Sequence, residues 1–286
     1  MREFLNTDTL FNTIAMLRSG TSGLILVVEG SDDRHVIERH VDDSVTVLCG
    51  QAGKQELVEA ALLIDERQVS RVRCLIDRDY DGSTDQTLPL AECIVTSTNH
   101  DVVMDLVLID RSVIYRVINA HTRGSDASSR SFAEQVVSDA LTVAARVGAL
   151  RMLSVQNNWE LNMSSFPFGR FDSARPNPQA VVELALSRSR PGPKRTPVLR
   201  ELRAALKTQA DQLHALVGDH DFFGAVAHLL RSSGFTSVGE SALAASFFAA
   251  VDCPAIMKTD WYAEVTSWST EVAGVPSFMC PCGYVA

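Results

Sequence analysis

Apolar and polar positions come in short blocks along the first third of the chain. Leu24–Val28 is an unbroken apolar run, as a strand covered on both faces requires. Ser31 and Asp32 can cap a helix from Asp33 to about Val41. Val45–Leu48 reads as a second strand and Gly50–Lys54 as a loop. Gln55–Asp65 reads as a helix with Leu57, Val58, Ala61 and Leu62 on one side. Val72–Ile76 is a third strand and Cys93–Thr96 a fourth, and a helix opening at His100 or Asp101 runs through Leu108. Residues 1–19 form a lead-in helix with Leu10, Ile14 and Leu17 near one face. This alternation predicts an α/β fold, a mostly parallel sheet flanked by helices.

Beyond about residue 115 the period changes. Phe132, Val136, Ala140, Val143 and Val147 recur at helical spacing. Leu199, Leu202, Leu206, Leu213 and Leu216 mark a second helix, and Phe222, Phe223, Val226, Leu229 and Leu230 a third. Five prolines between Arg170 and Pro197 predict loops and hinges there. The expected division is a sheet domain over 20–115, preceded by the lead-in helix, and a mainly helical C-terminal domain over 116–286.

Composition narrows the class. The chain has 286 residues, 46% hydrophobic and 21% charged, the balance of a folded protein. No stretch approaches the roughly 20 apolar residues of a membrane-spanning helix. Met1–Asp8 holds no signal-peptide core. A cytoplasmic protein with no membrane partner is therefore expected. The six cysteines are scattered, which suits reduced thiols better than a disulfide framework. A net charge of −9 argues against a surface coated for DNA. It leaves room for a local basic face.

Chemistry gathers where strands open into loops. Glu29-Gly30 follows the first strand, and Asp77-Arg78-Asp79 follows the third. In a parallel sheet, ligands collect at the carboxyl ends of strands. Glu29, Asp77 and Asp79 are thus expected at one edge, as oxygen ligands for Mg²⁺ or Mn²⁺. Glu29 can serve as general acid or base, and Gly30 lets backbone approach a phosphate closely. Acids also end strands merely to solvate loops, and that reading stands beside the metal one.

Val27-Val28-Glu29-Gly30-Ser31-Asp32-Asp33, then Cys49-Gly50-Gln51-Ala52-Gly53-Lys54, then Leu75-Ile76-Asp77-Arg78-Asp79, resembles a TOPRIM domain over roughly residues 20–110. That fold is shared by topoisomerases, primases, recombination mediators and OLD-type nucleases. The resemblance implies that Glu29 is the catalytic acid/base and that Glu29, Asp77 and Asp79 bind metal. Within the family the chain is most similar to compact TOPRIM effectors of bacterial anti-phage defence, including PARIS-type systems, which often work beside an ATPase. Thr98–Asp105 resembles the segment after their fourth strand. Relatives carry a Glu soon after the aspartate, where this chain has Val103-Met104. Asp105, one helical turn beyond Asp101 on the same face, can supply the missing carboxylate beside Asp101; the alternative is an incomplete second metal site. Gly218-Asp219-His220-Asp221 is similar to a Gly-His-Asp segment of the same relatives, which makes His220 and Asp221 additional candidates.

Weaker signals have plainer readings beside them. Gly50-x-x-Gly53-Lys54 lacks the spacing and the Ser/Thr of an ATPase phosphate loop, though Lys54 can contact a substrate phosphate. His220-Asp221 lacks the further ligands of an HD phosphohydrolase, and Asp221 can simply cap the following helix. Cys280-Pro281-Cys282 with Cys253 offers only one close pair where structural zinc wants paired short spacings, and an exposed or loosely packed tail is the plainer reading. Arg188, Arg190, Lys194, Arg195, Arg200 and Arg203 form a basic stretch. It can hold nucleic-acid backbone, with Arg190, Lys194 and Arg195 foremost, or remain a solvated face.

The expected function is a divalent-metal nuclease acting on RNA or DNA, with an ATPase partner implied by the resemblance and homo-oligomerisation left open. The alternative is a non-catalytic TOPRIM module that binds a partner protein or nucleic acid.

Overall fold

The computed structural model describes residues 7–81, 91–122, 130–189, 193–208 and 213–274. Strands β1 (Leu24–Val28), β2 (Val45–Cys49), β3 (Val72–Ile76) and β4 (Ile94–Thr96) pair in parallel, in the order β2-β1-β3-β4. All five residues of β1 are buried, because it is central and both its faces are covered. Helix α2 (Ser31–Ile37) carries the chain from β1 out to β2. Helix α3 (Lys54–Glu66) carries it back across β1 to β3. Crossovers of one hand running in opposite directions place α2 and α3 on opposite faces.

One face is closed by α1 (Thr7–Gly20) and α3. Ile25, Val27, Cys74 and Ile76 of the sheet pack there with Leu10, Ile14, Leu57, Ala61 and Ile64 of the helices. Each fully buried aliphatic side chain contributes about 1.5–3 kcal/mol, so this layer anchors both central strands. Helix α4 (Val102–Ile109) follows β4.

By their contacts the described residues fall into two compact units. The sheet unit takes 7–78, 91–109 and 251–274, and the helical unit takes 79–81 and the described part of 110–250. Helices α11 (Cys253–Ile256) and α12 (Asp260–Ala273), which the sequence pattern counts with the helical half, thus group with the sheet. Arg73 of β3 explains part of this. Its guanidinium lies 5.4 Å from the ring centroid of Trp268 in α12, a cation–π contact that no helical period reveals.

The helical unit contains α5 (Arg111–His121), α6 (Arg130–Gln156), α7 (Pro178–Arg188), α8 (Arg195–Thr208), α9 (Asp219–Ser232) and α10 (Glu240–Ala250). Two expectations change here. The proline-rich stretch is not all loop, because Pro178 stands in the first turn of α7. Asn177 caps that helix by accepting from the Ala180 N–H at 2.9 Å. Proline fits a first turn, where its missing N–H has no helical partner anyway. The leucines from 199 to 216 do not share one helix. Helix α8 ends at Thr208, and Leu213–Leu216 forms a separate 3₁₀ turn.

Helix α9 packs along α6, and that 3₁₀ turn presses on α6 at Gly148. A Cβ there would stand 1.9 Å from the Leu216 carbonyl oxygen. Backbone cannot yield as a side chain does, so Gly148→Ala is expected to cost about 2–3 kcal/mol and lower the melting temperature by several degrees. An unchanged thermal melt would rule out this close approach.

Candidate metal centre

The sheet order reverses direction between β1 and β3. In open parallel sheets, ligands bind in the crevice at such a switch point, outside the carboxyl ends of the two strands. Glu29 and Asp77 are the first residues beyond those ends. Pairing of Val28 with Leu75 sets the register that brings them side by side. The Asp77 N–H donates to Glu29 Oε2 at a long 3.4 Å.

Two further acids join them. Asp33, in the first turn of α2, is buried and its Oδ2 accepts from the Gly30 N–H at 3.0 Å. An acid reaching back from the third helical position to the cap is half of a capping box. Asp101 is buried at the start of α4, where its Oδ1 accepts from the Met104 N–H at 2.6 Å. Asp77 Oδ1 accepts from the Val102 N–H of the same helix at 3.0 Å. The N-terminus of α4 therefore fixes two of the four carboxylates. His100 Nδ1 lies 3.3 Å from Asp101 Oδ2.

Burial pushes the Asp77 carboxyl well above the usual aspartate range, and the nearby charges of Asp33, Asp101 and Glu29 push it further, in that order. The hydrogen bond from Val102 opposes this only in part. Oxygen donors of this kind suit a hard divalent cation such as Mg²⁺ or Mn²⁺, but no three of these four acids bring ligand atoms within 4.8 Å of one another.

Each of the other expected site residues has its own surroundings. Asp79 has a left-handed backbone, φ 51°, and groups with the helical unit. Asp105 is buried, and burial raises its pKa. Its Oδ2 accepts from the Thr98 N–H at 2.8 Å, and its Oδ1 accepts from the Asn99 N–H and side-chain amide at 2.7 Å each. It fastens the loop that delivers Asp101, which differs from a ligand role. Gly30 is the residue before α2, with φ −125°, so it adopts a backbone open to any residue. Lys54 Nζ donates to the Arg78 carbonyl at 3.1 Å, and Arg78 Nη1 donates to the Thr98 carbonyl at 3.0 Å. Two cations are thus tied to the backbone beside Asp77. Glu56 Oε2 accepts from the N–H groups of Gln51 and Ala52, at 2.7 Å each. The 50–54 loop therefore spends these amides on the chain's own carboxylate, not on a phosphate.

In the helical unit, Arg190 lies outside the described residues, as do Cys280 and Cys282. Lys194 is exposed. Arg195 pairs with Glu183 at 2.6 Å, and Arg200 with Glu201 at 2.8 Å. His220 is exposed, with Nδ1 3.1 Å from Glu240 Oε1. Asp221 is no cap, since Gly218 stands at that position of α9. It is buried and takes both ends of the Arg151 guanidinium, at 2.8 and 2.9 Å. A bidentate pair of this kind adds geometric specificity as well as energy.

Asp33 is the residue that motif reading passed over. Its signal was present, four residues after Glu29 on a helix entering from the same strand end. No protein-family model matches the chain, and no curated protein matches it.

The Asp77 shift has a definite sign. Its folded pKa lies above its unfolded one, so between them the folded chain holds the extra proton. Metal-free stability should therefore fall as pH rises from about 4 through the folded value. Asp77→Asn carries no such charge and keeps an oxygen for Val102. In chelator it should melt higher than wild type at about pH 8, the gap closing towards about pH 4. A mutant that melts lower than wild type at the higher pH would contradict the clustering.

Removing one partner of a buried pair strands the other's charge, so Arg151→Met should cost about 3–5 kcal/mol. The double variant Arg151→Met/Asp221→Leu should recover most of that loss in denaturant unfolding. Equal losses in single and double variants would deny the pair its structural role.

Proposed function

We propose that the chain is a divalent-metal-dependent TOPRIM-type nuclease that hydrolyses phosphodiester bonds of RNA or DNA. One observation carries the reading: Glu29 and Asp77 stand side by side where the sheet changes direction, with Asp33 and Asp101 near enough to raise the Asp77 pKa. The resemblance of the 27–33, 49–54 and 75–79 segments to TOPRIM motifs supports it. Glu29 and Asp77 would be the first ligands of Mg²⁺ or Mn²⁺. A bound ion of this kind polarises a phosphoryl oxygen and lowers the pKa of water. Glu29, which receives the Asp77 N–H at a long 3.4 Å, would take the proton of the attacking water. Lys54 and Arg78, beside Asp77, would offset phosphate charge. Exposed Lys194 lies in the basic stretch and would meet the nucleic-acid backbone. Action beside an ATPase in anti-phage defence rests on the resemblance alone.

Purified full-length protein should cleave single-stranded RNA or plasmid DNA in Mg²⁺ and not in chelator. Glu29→Gln should lower the rate about 10²–10⁴-fold while keeping the wild-type melt. Mg²⁺ should raise the melting temperature of wild type more than that of Asp77→Asn. A chain that melts higher in Mg²⁺ yet cuts nothing, alone or with an ATPase encoded beside it, would be the non-catalytic module instead.

A further inference from the structure

Helix α8 of the helical unit has two sharply different faces. Val198 and Leu202, one turn apart, are fully buried where α8 packs on α6 and α7. Arg200, Arg203 and Lys207 are all exposed. With about 3.6 residues per turn, these three cations fall on one line, opposite Val198 and Leu202. Glu201, the one acid in α8, stands to the side of that line and reaches Arg200 at 2.8 Å. The Arg200 side chain is still 75% exposed there. Among the described residues no ion pair holds Arg203 or Lys207. Arg195 lies off the line and pairs with Glu183.

A basic helix can meet a membrane surface, an apolar groove on another protein, or a nucleic-acid backbone. The first two partners need an apolar face next to the charges. In α8 that face is spent on α6 and α7, so charge is all it offers. In a chain of net charge −9 such a stripe is a local exception, and it complements a polyanion. No residue of α8 is aromatic, whereas single strands are held by stacking their bases on aromatic side chains. A duplex keeps its bases stacked and presents phosphates to such a face. From Arg200 to Lys207 the helix rises about 10.5 Å. One strand of a B-form duplex carries about three phosphates over that length, one for each cation of the stripe.

We propose that the Arg200, Arg203 and Lys207 face of α8 docks the phosphate backbone of duplex nucleic acid without reading its sequence. This names the substrate class of the proposed nuclease and rests on that reading for its purpose. The docking itself needs no metal.

Full-length protein in chelator should therefore bind short random-sequence duplexes at low salt, measured by fluorescence anisotropy. The triple variant Arg200→Gln/Arg203→Gln/Lys207→Gln should bind about 10–100-fold more weakly. Its log–log salt slope should be shallower by about 3, roughly one for each lost phosphate contact. All three positions are exposed, so its thermal melt should match wild type. The double variant Arg200→Lys/Arg203→Lys keeps the charge and should keep the slope. Wild type that binds no duplex at low salt, or a triple variant that binds like wild type across the salt series, would overturn the proposal. So would tighter binding of single strands, of polyglutamate or of phosphatidylserine vesicles than of the duplex. Cutting in Mg²⁺ is scored separately. A wild type that binds in chelator and never cuts retracts the nuclease and leaves the docking face. One that cuts, while the triple variant binds equally well, retracts the docking face alone.

Discussion

The crowding of carboxylates around Asp77 is the constraint on which the sheet unit turns. Parallel pairing of β1 with β3 leaves Glu29 and Asp77 no choice but proximity. The N–H groups of α4 then draw Asp77 and Asp101 to the same helix end. A helix N-terminus favours negative charge by about 0.3–1 kcal/mol per group. That is too little to offset burial and the neighbouring acids, so the Asp77 pKa is pushed up. The fold thus keeps an arrangement that is unfavourable by itself, and a cation would relieve it.

Other acids in the same region do structural work, which shows why acidic residues alone do not define a centre. Asp105 and Glu56 turn their carboxylates inward, onto the backbone N–H groups of the 98–99 and 51–52 loops. Each loop leads into the segment that presents a cluster residue or a neighbouring cation. Asp105 positions the approach to Asp101, and Glu56 positions the turn before Lys54. These bonds bury charge without wasting it.

Charge in the helical unit is likewise spent locally. Arg151 is committed to Asp221, Arg195 to Glu183 and Arg200 to Glu201. The basic stretch is therefore less open to a polyanion than its composition suggests. Exposed pairs of this kind are worth about 0–1 kcal/mol, however, so a phosphate backbone could still displace Glu183 or Glu201.

The elements around the sheet were legible in the residues themselves. Leu24–Val28 and Val72–Ile76 are short, mainly apolar runs, which suits buried strands, and burial depends on local composition. Glu29 and Asp77 followed, because a strand end is a sequence position. Asp33 and Asp101 were harder, since their approach depends on where two helices start in space. The pairing of Asp221 with Arg151, of Arg73 with Trp268, and of His40 with Cys253 could not be read at all. Each joins residues at least 70 positions apart, the shortest being Arg151 to Asp221. Periodicity reports only which face of an element is apolar. Which polar group it meets is decided by packing, and packing exists only once the chain has folded.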